Sequence, residues 1–177
     1  MSSILLLLCS LSFVSCVAIA STSSHSFIRK LWNLKVRHTP AFEPVFSISV
    51  PLGPKNPVKG PFGTRTNMAL LSGIVNDASG KPIGHIVPHT SVANGVVSAN
   101  GTYFPTVSIT IQWGADDTYA YLSLSGVGVL GSTTMVYIRM DTDGGSKFAA
   151  WGQRFLIGEV SYPDPNGPAL FKVFALE

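Results

Sequence analysis

At 177 residues, with 12% charged side chains and a formal charge of +3, the chain has the length of a single domain and lacks the basic density of a nucleic-acid-binding stripe. Both cysteines, Cys9 and Cys16, fall within the first twenty residues. That position excludes a disulfide, a thiol nucleophile or a cysteine metal site from everything that follows.

Residues 4–8 form an unbroken apolar run, continued more loosely to Ala20, and Ala18-Ile19-Ala20 supplies a small-x-small cleavage pattern. Residues 1–20 are therefore predicted to be a secretory signal peptide, although no Lys or Arg precedes the run. A membrane anchor is the competing reading. The run is short for a bilayer span and is interrupted by Ser10, Ser12 and Ser15. The expected mature chain of roughly 155 residues is long enough to bury its own core without disulfides. It is expected to be extracellular, with no membrane span after cleavage.

Residues 21–41 form a flexible segment in which Arg29, Lys30, Lys35 and Arg37 gather most of the excess charge. Without these four, eight basic residues stand against nine acidic ones. The segment reads as a solvated arm or short helix. Cleavage after Arg29-Lys30, or docking on a partner or an anionic polymer, are the sharper alternatives.

From Glu43 the pattern is strand after strand. Phe46, Ile48 and Val50 alternate with Ser47 and Ser49, the two-residue period of a strand with one buried face. Further predicted strands lie in MALLSGIV, residues 84–88 and residues 92–97, with Asn76-Asp77-Ala78-Ser79-Gly80 as a turn. The clearest signal follows. TYFPTVSITIQW and TYAYLSLSGVGV alternate on either side of Gly114-Ala115-Asp116-Asp117, a hairpin loop by composition. TTMVYIRM, FLIGEVSY and ALFKVFAL complete the series. The expectation is an all-β domain over residues 42–177, a single antiparallel barrel of about eight or nine strands run as a meander. The last strand would close against the first, leaving no free edge. Several strands carry small hydroxyl residues on one face and large apolar ones on the other. If the hydroxyl faces lined the lumen it would be a cavity; if they faced water, the expectation for any one strand, it would be a packed core.

The blocks PVFSISVPLGP, GPFGTR, SGIV, GHIVP, ADDTYAYL and FKVFALE are similar to a set of small barrel proteins from bacteria and fungi grouped as domain of unknown function 3237. The resemblance spans roughly residues 42–177 and implies a calycin-like barrel without implying a reaction. Members usually carry Gly-Gly and then Ala-Asp-Trp after the GxVxP block. Here that place reads His89-Thr90-Ser91-Val92-Ala93, so the acid and the indole are missing.

His85 and His89 lie four apart around Pro88, a spacing that places two metal ligands on one helix face. The local sequence favours a strand and no third ligand is near, so no metal is expected and acid–base work by His85 is the better use. Tyr121 is its predicted catalytic companion. Tyr103, Tyr119 and Tyr121 could line a pocket mouth, with Tyr119 and Tyr121 on one face. Arg65 and Arg139 sit beside apolar stretches and could grip a ligand oxygen, or in the case of Arg139 pair internally with a carboxylate such as Glu159. His89 joins this ligand-binding set. Asp116 and Asp117 read as turn formers. Asn100-Gly101-Thr102 is a glycosylation sequon on a predicted exposed turn.

Two functions fit. The first is a secreted barrel that binds an apolar small molecule in its lumen, with no cofactor, and acts as a cyclase or isomerase of secondary metabolism. The second is a non-catalytic carrier or surface-interaction protein.

Overall fold

The computed structural model describes residues 40–163 and 167–177. The predicted signal peptide and nearly all of the basic segment lie outside the described residues. Within them Pro40–Glu177 forms one compact unit.

Eleven strands are present: β1 (Phe42–Val50), β2 (Val58–Gly60), β3 (Gly63–Ala69), β4 (Ile74–Asp77), β5 (Pro82–Ile86), β6 (Val92–Val97), β7 (Thr102–Trp113), β8 (Tyr119–Val129), β9 (Thr134–Thr142), β10 (Leu156–Ser161) and β11 (Ala169–Leu176). Eight of them close an antiparallel barrel in the order β1-β4-β5-β7-β8-β9-β10-β11. As expected from the sequence, the C-terminal strand pairs with the first, Ile48 opposite Phe171 and Val50 opposite Ala169.

The barrel is not the simple meander expected. At twelve residues, β7 is long enough to hold two shorter strands along one edge. Its second half pairs with β5, Ile111 opposite Ile86, and its first half with β6, Val107 opposite Ala93. β3 pairs with β6, and β2 with β3. The chain leaving β1 bends along β3, with Gly53 N–H donating to Ala69 O at 2.9 Å and Asn56 N–H to Asn67 O at 2.9 Å. The predicted strand MALLSGIV is accordingly two pieces, β3 and β4, separated where Leu70 bridges Leu52. The β7 strand thus carries two tiers, β4-β5 toward one end of the barrel and β2-β3-β6 toward the other.

Period-two alternation decides what fills the lumen. Ile48, Ile109, Ile111, Leu122, Leu124, Ile138 and Leu156 are fully buried. Each contributes about 2 kcal/mol by leaving water. Ser123 and Ser125 of β8 point to solvent, while Ser47, Ser108 and Thr110 lie on the outward, partly exposed face of their strands. At the end near the β7–β8 turn, Trp113 packs on Phe148 with ring centroids 4.4 Å apart, and Phe46 stacks on Trp151 at 5.5 Å. Trp151 belongs to a short 3-10 helix, Ala149–Gln153, for which the strand pattern held no sign. Asp116 ties the approach to this plug in place. Its carboxylate accepts from Thr118 Oγ1 at 2.6 Å and Lys147 N–H at 3.1 Å, and these bonds, the Thr118 hydroxyl foremost, hold its pKa below the usual carboxylate value. This end of the barrel is closed by aromatic packing.

Candidate ligand-binding site at the open end of the barrel

The opposite end is built from smaller residues. Along β8 the inward positions run Leu122, Leu124, Gly126, Gly128, so the wall loses its side chains toward the end of the strand. No larger residue fits there: a Cβ on Gly126 would lie 1.9 Å from the Met135 carbonyl oxygen, and one on Gly128 would lie 2.6 Å from Thr134 Cα. β6 does the same at Gly95, where a Cβ would meet the Tyr103 ring at 2.3 Å, so that ring lies flat across bare backbone.

At this end a cavity of about 460 Å³ lies between the segment after β1, the β8–β9 turn and the residues just before β11. Leu52, Met68 and Leu130 supply its apolar lining, Tyr162 its phenol, and Lys55 stands exposed at the rim. The volume is within the range of small-molecule sites.

Beside it lies a group of hydroxyls. Tyr103 is 4% exposed, and its hydroxyl reaches Asn94 O at 3.3 Å. Burial pushes its pKa up, offset in part by the neighbouring Thr66 hydroxyl. Thr66 Oγ1 is itself buried, beside the Tyr103 phenol. Burial likewise raises the Tyr162 pKa, and a charge on Tyr103 would raise it further, which places the two phenols in one poorly solvated interior. Both are therefore neutral donors at physiological pH. Among the described residues the buried polar side chains are Thr66, Ser91, Thr134 and Ser146, none of them charged. Of the hydroxyl-bearing residues Thr66, Tyr103 and Tyr162, Tyr162 lines the cavity itself.

Of the residues singled out from the sequence, Tyr103 alone points into the lumen. His85 is exposed on the outer face of β5, beside a shallow depression shared with Lys81, Lys147 and Trp151. His89 lies past the end of β5 with φ 64°, exposed in the turn, so the two histidines do not share a strand face. Tyr119 and Tyr121 do share a face of β8, and it is the outer one, where they are 51% and 46% exposed. Arg65 is exposed on β3 opposite Val58 and Val96. Arg139 is exposed, and its partner is Asp141 at 3.2 Å and not Glu159, because residues two apart on β9 share a face while Glu159 stands across from Met135. Asn100 sits on an exposed turn before β7, its side-chain carbonyl accepting from Thr102 N–H at 3.2 Å. The predicted set does not converge.

Tyr162, Thr66, Met68, Leu52 and Leu130 were not anticipated. A signal for three of them existed. Leu156, Gly158, Val160 and Tyr162 continue one alternating face, as do Thr66, Met68 and Leu70.

No family model matches the chain, and no curated protein does. Solved structures do match. A conserved protein of unknown function from Rhodopseudomonas palustris superposes with a TM-score of 0.68 at 16% identity, over 79% of this chain and 99% of its own. An enzyme from Penicillium herquei gives 0.63 at 20% identity, over 81% of this chain and 100% of its own. A β-barrel-like protein from Acinetobacter baumannii AYE gives 0.63 at 15% identity, over 79% and 98%. At these identities the likeness is one of fold: the chain is a barrel of the kind those proteins share.

Proposed function

We propose that this barrel binds a small, mostly apolar molecule at its open end and directs a hydrogen bond from Tyr162 to an acceptor oxygen on it. The observation that carries the reading is a cavity of about 460 Å³ in which the Tyr162 phenol stands among Leu52, Met68 and Leu130. A ligand oxygen would accept from that phenol.

Any catalysis at this site follows from the same groups. A neutral phenol stabilises negative charge that develops on an oxygen, and a shaped apolar wall holds a flexible ligand in one conformation. These are the requirements of a cofactor-free cyclisation or isomerisation. On the strength of residues 4–20 the mature protein acts outside the cell, and the barrel agrees with membership of the uncharacterised family it resembles.

The test is titration with prodan, an uncharged naphthyl ketone whose emission shifts to the blue in apolar sites. Saturable 1:1 binding is expected, weakened roughly 5- to 10-fold by Tyr162→Phe, the loss of about 1 kcal/mol from one hydrogen bond. Absence of a saturable shift, or one unaffected by filling the cavity with Leu130→Trp, would refute the site.

A further inference from the structure

The outer surface of the barrel carries a second feature that ligand binding does not explain. Phe104 on β7, Val127 and Tyr121 on β8, Met135 and Tyr137 on β9, and Phe155 just before β10 are each 46–51% exposed. Strand register makes them one surface. Val127 stands opposite Met135, Ser125 opposite Tyr137, and Tyr137 opposite Ile157. The rings of Tyr137 and Phe155 lie 5.4 Å apart. With about 200 Å² for a whole aromatic side chain, these half-exposed groups present on the order of 600 Å² of apolar surface. That lies at the upper end of what a soluble monomer leaves bare. Adding the intervening Ser123, Ser125, Arg139 and Asp141 brings the face close to the ~800 Å² that each partner contributes to a standard interface.

We infer that this face of β8, β9 and β10 is where a second copy of the chain docks, in a twofold dimer. Its charges fit that occupant. The face holds one cation and one anion, Arg139 and Asp141, side by side. Under a twofold axis such a pair meets its own inverse, so the patch is complementary to itself. Glu159, at its border, is opposite Lys172 in register, which leaves the rim balanced too. The chain's own basic segment is a poorer occupant. Arg29, Lys30, Lys35 and Arg37 would find no surplus of carboxylates on this face. A nucleic acid or an anionic surface would find no surplus of cations.

Sedimentation velocity on the mature, glycosylated protein tests this, with Tyr137→Glu and Met135→Lys as surface variants and Phe62→Ser as control. Phe62 is 87% exposed and stands on the β2–β3 turn, outside strands β7 to β10. The wild type and Phe62→Ser are expected to sediment as dimers at micromolar concentration. Each face variant should be monomeric, its dimer dissociation constant raised at least 100-fold, with unchanged circular dichroism. A monomeric wild type, including one that co-floats with phosphatidylcholine vesicles, would overturn the inference. So would a dimer that survives both face substitutions.

Discussion

Tyr103 and Tyr162 show how one strand position decides chemistry. Tyr103 is an inward member of β7 and Tyr162 follows the last residue of β10, and both have the pKa raised first by burial. An unfolded tyrosine loses its proton near pH 10, whereas these hold theirs to higher pH in the fold. Above that point the folded state binds more protons than the unfolded one, so stability is undiminished below about pH 10 and declines as pH rises beyond it. Thermal melts taken across the alkaline range should show Tm falling, and Tyr103→Phe should flatten that limb. An identical alkaline slope in the variant would mean that Tyr103 is not held in a desolvated interior. Tyr119 and Tyr121 look equivalent to Tyr103 in the sequence, since all three alternate with apolar neighbours. Period two establishes which residues share a face. It does not say which face is inside when both carry large side chains, and β8 has Tyr119, Tyr121 and Val127 on one side against Leu122 and Leu124 on the other. That ambiguity is why the site predicted from sequence fell on the outer wall.

At the scale of the element, the glycines of β8 separate the two ends of the lumen. Leu122 and Leu124 fill the middle, and at Gly126 and Gly128 the backbone of β9 passes too close for any side chain. Gly126→Ala would push a methyl group against the Met135 carbonyl and should destabilise the fold by roughly 3 kcal/mol. Gly144→Ala, in a turn where an added Cβ meets nothing within 4 Å, is expected to stay within about 0.5 kcal/mol of wild type. Chemical denaturation of the pair measures the difference, and equal stabilities would contradict the close approach. The strands themselves were legible: alternation located β1, β7, β8, β9, β10 and β11, and the acidic turn located the β7–β8 hairpin. The two tiers hung on β7 were not. Nothing in the alternation of a twelve-residue strand says that its edge is shared between β5 and β6, since partner choice is a long-range matter that local pattern leaves open. The 3-10 helix bearing Trp151 escaped for a related reason, being too short to show a period.

For the described residues as a whole, aromatic packing of Phe46, Trp113, Phe148 and Trp151 closes one end of the barrel, and the cavity lies at the other. A fully packed lumen would have left only a surface function. The cavity at the open end is what distinguishes this barrel from one whose interior is entirely core, and fold alone would not have said so. On β8 the odd-numbered residues face outward, toward the proposed dimer contact, and the even-numbered ones inward, so variants on the outer face test the dimer separately from the cavity. The measurement that tests the interior site most directly is a ¹H–¹⁵N correlation spectrum of the isotope-labelled mature protein titrated with prodan. The account predicts shift changes concentrated at the amides of Gly53, Met68, Leu130, Tyr162 and Gly167, around the open end. Changes clustered instead at His85, Tyr119 and Tyr121, or none at saturating prodan, would contradict it.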